Sequence, residues 1–265
     1  MFSNVINPVF GNVLKPVFGG GGGGGSVPFD YDANTRWWDF KNTANVKELT
    51  GDDTFALVPD RLHGLQGLEQ ANKSLQPLVV TDGLNLNKDT PRQMYVDNQD
   101  GLANGTNGWY SAFNFKLSTF NCYILSIARN VSSTPSRGEL YVTGSRNIRV
   151  RLANNDGSSM SSIGFTSQIT ADTWYSCEVL VDISSGSATL TVWLNGVEQT
   201  LQSNTPITHT TTFPATDPSE FTFGNLSTTD LDSFDGDMQQ LFFQNGVPTT
   251  AIRESISAYI NGERP

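Results

Sequence analysis

From Trp109 onward the chain alternates apolar and polar positions with the two-residue period of half-buried strands. Trp109 to Leu117, Cys122 to Arg129, Glu139 to Thr143, Asn147 to Ala153, Trp174 to Ile183 and Ala188 to Leu194 are rich in β-branched and aromatic residues, and each run predicts a strand. Between Trp174 and Ile183, the residues Tyr175, Cys177, Val179, Val181 and Ile183 share one face. Ser176, Glu178 and Asp182 share the other, so one face is buried and one partly wet. The strand ending in Val192-Trp193-Leu194 runs into Asn195-Gly196 and resumes at Val197, which predicts a hairpin because both turn positions favour positive φ. Phe221 to Phe223 and Met238 to Phe243 predict further strands. The period then changes: Ile252, Ile256, Tyr259 and Ile260 fall on one helical stripe, with Thr250 placed to cap it and Gly262 to end it.

Upstream of Asn107 the apolar pieces are shorter, as in Trp37-Trp38-Asp39-Phe40, and are separated by Gly, Asp and Asn turn chemistry, which predicts several ordered loops. Residues 4 to 19 hold a duplication: Asn4-Val5-Ile6-Asn7-Pro8-Val9-Phe10-Gly11 is followed by Asn12-Val13-Leu14-Lys15-Pro16-Val17-Phe18-Gly19. Each Pro disfavours helical geometry at the residue before it, so the duplicated segment reads as two turns or an extended hook. Gly19 to Gly25 and Ser26 then form a flexible leash that contributes no side chains to a core. Three parts are expected: an apolar anchor at 1–18, a glycine linker at 19–26, and one large β domain at 27–265. An apolar hook on a leash needs a surface to receive it. Phe2, Val5, Ile6, Val9, Phe10, Val13, Leu14, Val17 and Phe18 are therefore the expected partner-binding residues.

Charge narrows the partners. With 26 acidic against 16 basic residues in 265, the net charge is −10, which repels a phosphate backbone and disfavours nucleic acid. The densest basic stretch is Arg146, Arg149 and Arg151. The last two share a strand face, but no aromatic residues interleave them, and the stretch reads as a solvated face. No run reaches the roughly 18 apolar residues of a membrane span. The N-terminus has no basic n-region, and Asn4, Asn7, Asn12 and Lys15 interrupt any apolar core of a secretory signal. Cys122 and Cys177 each sit in an apolar run and read as buried thiols, although two strands can bring them together. His63 and His209 are far apart, which disfavours a histidine-based site.

Several short pieces resemble the concanavalin A-like lectin and glucanase superfamily, in particular its laminin-G-like members. They are Asp172-Thr173-Trp174-Tyr175-Ser176-Cys177-Glu178-Val179, then Val192-Trp193-Leu194-Asn195-Gly196, Phe223-Gly224-Asn225, Phe234-Asp235-Gly236-Asp237-Met238-Gln239 and the final helix, with Gln76 to Asn85 upstream. The resemblance implies an all-β jelly-roll sandwich with a short C-terminal helix, here with an extended N-terminal arm. The Pro-Val-Phe-Gly hook with oligoglycine is similar to the attachment end of virion proteins of tailed bacteriophages. Together these imply a non-enzymatic virion structural or decoration protein, in many copies, that docks on a capsid or tail protein through residues 1–25 and is located in the particle. The alternative is a carbohydrate- or receptor-binding lectin or adhesin of a tail fibre or cell surface. A glycoside hydrolase is the third reading.

Hydrolysis with retention needs two carboxyls about 5 to 5.5 Å apart. The sequence has no Glu-x-Asp-x-Glu triplet; Asp230 with Asp232 and Asp235 with Asp237 are its nearest approaches, and no catalytic residue is assigned. No cofactor is expected, with calcium left open. Loop oxygens at Asp97, Asn98 and Asp100, or at Asn154, Asn155 and Asp156, are the candidate ligands, set against ordinary turn chemistry. Sugar rings need a flat aromatic surface beside polar partners. Trp37, Trp38, Trp109 and Tyr110 adjoin polar loops and are the candidate glycan-binding residues, whereas Trp174 and Trp193 at strand positions read as core, a reading that also competes for Trp109.

Overall fold

A computed structural model describes residues 27–41, 57–58, 60–62, 68–69, 76–87, 94–96, 105–129, 138–153, 160–202, 207–208, 212–213, 219–224 and 234–265. In chain order its strands are β1 (Thr35–Asp39), β2 (Leu57–Val58), β3 (Leu68–Glu69), β4 (Leu78–Val80), β5 (Gly83–Leu86), β6 (Met94–Val96), β7 (Gly108–Leu117), β8 (Cys122–Arg129) and β9 (Gly138–Val142). There follow β10 (Asn147–Ala153), β11 (Met160–Gln168), β12 (Trp174–Asp182), β13 (Ser187–Leu194), β14 (Val197–Glu198), β15 (Ile207–Thr208), β16 (Ser219–Phe223) and β17 (Gly236–Asn245), then the helix α1 (Thr250–Glu263). The strand runs expected from the two-residue period appear nearly as read. β11 was not expected, and its Met-Ser-Ser-Ile-Gly-Phe-Thr-Ser-Gln has the weak apolar content of a strand at the end of a sheet.

Two antiparallel sheets form a jelly-roll β-sandwich. Among the described residues the first has nine strands in the order β14-β13-β12-β7-β17-β5-β4, with β1 added on β17 and β15 on β13. The second has eight, in the order β11-β10-β9-β8-β16-β6-β3-β2. Residues facing inward from both sheets share one core: Trp109, Phe113, Phe115 and Leu117 from β7, Cys177, Val179 and Val181 from β12, and Leu125, Ile127, Leu140, Val150, Phe221 and Phe223 from the opposite sheet. Trp109 stacks on Phe243 with ring centroids 6.1 Å apart. Gly138 opposite makes room for it, since a Cβ there would lie 2.6 Å from the indole. Asn195 and Gly196 have φ of 53° and 76° and join β13 to β14, with Leu194 opposite Val197, so the hairpin has the expected turn. Cys122 and Cys177 are free and buried.

The first sheet carries a second, smaller core on its outer face. Phe29, Trp37, Leu62, Tyr110, Ala112 and Phe242 pack there against Ile256 and Ile260 of α1. The helix begins one residue earlier than the sequence suggested: Thr249 caps it by accepting from the Ile252 backbone N–H at 3.3 Å, and Thr250 is its first residue. Gly262 lies inside the helix and does not end it.

Residues 1–26 lie outside the described residues, and with them the whole expected anchor. Of the four candidate glycan-binding residues, Trp38, Trp109 and Tyr110 have no exposed surface and Trp37 has 5%. Trp38 and Trp109 belong to the central core, Trp37 and Tyr110 to the outer one. The glycan reading of these residues is corrected: their loops are polar, but two of the rings turn into the central core and the other two are covered beneath the helix. Replacing a packed tryptophan by alanine removes its burial and leaves a cavity. Trp38→Ala is expected to lower the unfolding free energy by about 3–5 kcal/mol in urea denaturation; a loss below about 1 kcal/mol would place the ring outside the core.

Candidate functional site

β7, β12 and β17 present Tyr110, Ala112, Asn114 and Lys116, then Trp174, Ser176, Glu178 and Leu180, then Asp237, Gln240, Phe242 and Gln244 on the outer face of the first sheet. The helix covers the middle of this face through a polar network around Glu178, which is 1% exposed. Tyr110 Oη donates to Glu178 Oε2 at 2.9 Å, and Ser257 Oγ donates to Glu178 Oε1 at 2.6 Å. Arg253 Nη1 stands 3.7 Å from Glu178 Oε2, and its guanidinium lies 4.7 Å from the ring centroid of Trp193, the cross-strand partner of Glu178. Asn114 Nδ2 donates to the Ile260 carbonyl at 3.0 Å, and Ser176 Oγ bonds Asn261. These contacts seat the helix.

Beyond the C-terminal end of the helix one row of the same face stays half-exposed. Asn85 on β5, Asp237 on β17, Lys116 on β7 and Trp174 on β12 are successive register partners across four strands. Neighbouring strands lie about 4.8 Å apart, so the row extends for roughly 15 Å. Asn85 Nδ2 donates to Asp237 Oδ1 at 2.7 Å, Lys116 Nζ pairs with Asp237 Oδ2 at 2.6 Å, and the ammonium lies 5.3 Å from the Trp174 ring centroid. The side chains of Lys116 and Asp237 keep 27% and 16% of their surface. Gly236 brings β17 close to β7, since a Cβ there would fall 1.9 Å from the Lys116 carbonyl oxygen. The row therefore combines an aromatic surface, a cation, a carboxylate and an amide with fixed mutual geometry.

The sequence placed Trp174 and Trp193 in the core. Both are half-buried on the outer face, because the inward positions of their strands are Cys177, Val179 and Val181, and Leu190, Val192 and Leu194. The signal that would have found Trp174 is its parity with Ser176 and Glu178, already assigned to the wet face. Asp235 and Asp237 each have a partner: Asp237 Oδ2 pairs with Lys116 Nζ, and Asp235 Oδ2 accepts from Thr119 Oγ1 at 3.0 Å at the strand's entry. Asp230, Asp232, both calcium-candidate loops, His63 and His209 lie outside the described residues. Among the described residues no three His, Cys, Asp or Glu side chains cluster as metal ligands, and no helix is long and apolar enough to cross a membrane.

No protein-family model matches the sequence, and a comparison with curated proteins gave no match. Solved structures do resemble the fold. A Trypanosoma rangeli sialidase, in complex with 2,3-difluorosialic acid, superposes with a TM-score of 0.58 at 12% identity over 86% of this chain and 33% of that one. The binding domain of botulinum neurotoxin serotype D superposes with a TM-score of 0.53 at 14% identity, over 86% of this chain and 51% of that one. A Limulus polyphemus pentraxin reaches a TM-score of 0.43 at 16% identity, over 60% and 73%. The chain thus spans about a third of the sialidase and about half of the neurotoxin domain. Identities this low show the fold alone, a β-sandwich of two antiparallel sheets.

Burial raises the Glu178 carboxyl above its usual value of about 4.5, against the opposing hydrogen bonds from Ser257 and Tyr110 and the charge of Arg253. A carboxyl with a raised folded pKa favours the folded state in its protonated form. That contribution is complete below about 4.5 and is lost as pH rises through the folded value. Glu178→Gln is expected to flatten the part of the stability–pH curve just above 4.5 relative to the unsubstituted protein. Urea midpoints across that range measure it, and parallel curves would show that Glu178 does not titrate with folding.

Proposed function

We propose that the chain is a non-enzymatic, lectin-like binding module whose saccharide site is the Asn85–Asp237–Lys116–Trp174 row. The observation that carries this reading is the row itself: a half-exposed indole with charged and amide partners in register on one face. The lectin-like sandwich supports it by fold. A glycosidase is disfavoured because the one carboxylate in the row is held by Lys116 and has no second carboxyl beside it in register. Trp174→Ala is expected to abolish binding on a glycan array while leaving the melting temperature within a few degrees. Unchanged array binding would remove the row from the function.

The finer reading adds attachment: residues 1–25 dock on a capsid or tail protein, and the sandwich is displayed in many copies on a virion. The duplicated Asn-Val-Ile/Leu-x-Pro-Val-Phe-Gly segment and the glycine run support it. Burial of the nine apolar anchor side chains contributes on the order of 10 kcal/mol before ordering costs, and display in many copies turns weak saccharide contacts into firm ones. A chain beginning at Ser26 is expected to keep its melting temperature and fail to join the particle, as is Phe10→Asp with Phe18→Asp in the full-length chain. Normal incorporation of the truncated chain would move attachment to the sandwich.

A further inference from the structure

The second sheet also turns a polar face away from the core. Thr222, Ser126, Glu139 and Arg151 form one cross-strand row over β16, β8, β9 and β10, and Tyr123, Tyr141, Arg149 and Gly164 form the next over β8 to β11. Although these positions face outward, Thr222, Ser126 and Glu139 are buried, with at most 3% exposed. Arg151 is held in place: Nη1 donates to Tyr123 Oη at 2.8 Å, stands 3.5 Å from Glu139 Oε2, and the guanidinium lies 4.6 Å from the Tyr141 ring centroid. The aromatics that the strand itself lacks come from its neighbours.

Arg149 differs. Its Nε is buried without a hydrogen-bond partner, as is Ser126 Oγ in the adjacent row. No described carboxylate pairs with it. Arg149 Nε lies over Gly164 of the neighbouring strand, where the missing side chain makes room for the Gln202 amide: a Cβ there would come within 3.4 Å of Arg149 Nε and 2.5 Å of Gln202 Oε1. Over β8, β9 and β10 the described residues of these two rows hold two guanidiniums and one carboxylate, that of Glu139; Glu69 and Glu220 share the outward parity on strands farther from Arg149. A buried donor without a partner is costly unless something supplies the acceptor. An oxyanion does so, offering two oxygens to the guanidinium fork and a negative charge to the arginine that Glu139 does not pair.

We infer that this face is a second site, for the carboxylate or sulfate group of an acidic saccharide, with Arg149 as the anion-binding residue and Arg151 as the fixed positive charge beside it. The saccharide class rests on the lectin-like reading; the site is separate from the Trp174 row. The test is calorimetric titration of the full chain at low salt with oligogalacturonate, its neutral methyl ester, a chondroitin sulfate oligosaccharide and polyglutamate. The inference expects binding of oligogalacturonate, of the sulfated oligosaccharide, or of both, which separates the two anion sources. It also expects about ten-fold or greater weakening by methyl esterification or added salt. Arg149→Gln is expected to reproduce that loss and Arg149→Lys to give a smaller one, both with melting temperatures unchanged; if Arg149→Gln alone is destabilised, the lysine variant and the ester carry the comparison. Trp174→Ala is expected to leave acidic binding intact. Equal binding of the methyl ester, indifference to both Arg149 substitutions, or no binding of either acidic saccharide overturns the site. Polyglutamate bound as tightly as oligogalacturonate overturns the saccharide class. Loss of acidic binding in Trp174→Ala, with Arg149→Gln silent, overturns the inference while leaving the Trp174 row standing.

Discussion

A sandwich covers one face of each sheet, and the nine-stranded sheet of this chain is too apolar to leave its other face in water. β7 and β17 lie at its centre, paired over most of their length, and both carry large side chains outward: Tyr110 and Ala112 from one, Phe242 from the other. The chain meets this requirement with its own two ends of the described domain. Phe29 and Trp37 come from the start, with Phe29 edge-on to Trp37 at 5.0 Å and to Phe242 at 4.9 Å and Trp37 stacked on Phe242 at 5.7 Å. Ile256 and Ile260 come from the terminal helix. The buried Glu178 then fixes where that helix sits, because its carboxylate must keep Tyr110, Ser257 and Arg253 once water is excluded.

What is left uncovered follows from where the helix stops. The row next to its C-terminal end, from Asn85 to Trp174, keeps both solvent and polar partners, and it is the part of the face proposed to meet a saccharide. Its composition depends on a register shift in β17 between Met238 and Gln240. In an unbroken strand, Asp237 and Gln240 would face opposite sides. The extra residue reverses the alternation, so that Asp237, Gln240 and Phe242 all face outward while Met238 and Leu241 face the core. The same device acts in β8, where the shift between Tyr123 and Leu125 puts Tyr123 and Ser126 together on the outer face of the other sheet. Both candidate binding rows are thus assembled beside bulges.

The aromatic residues show how a local reading misjudges a surface. Trp37, Trp38, Trp109 and Tyr110 adjoin loops full of Asn, Gly and Asp, and that neighbourhood suggests exposure. Alternation then sends Trp38 and Trp109 to the inner core, while Trp37 and Tyr110 go outward into the second core beneath the helix. Trp174 and Trp193 sit in the most strand-like runs, which suggests burial, yet their parity places them on the outer face at its margin. Arg149 and Arg151 looked like a solvated pair because no aromatic residue interleaves them along the strand. Tyr123 and Tyr141 reach Arg151 sideways, across the sheet.

The sequence by itself determined the all-β class, the run of strands from Trp109, the Asn195-Gly196 hairpin and the terminal helix, because each depends on a short period or on the backbone preference of one or two residues. It also displayed the inward face of β12 and the wet character of the other. Tertiary structure alone decided which outward face became a second core, which tryptophans remained at a surface, and which side chains became neighbours across strands. Those outcomes depend on pairing register, on single-residue bulges and on the docking of distant chain segments, all of them contacts between residues far apart in the chain. The periodicity of any one strand carries no information about them.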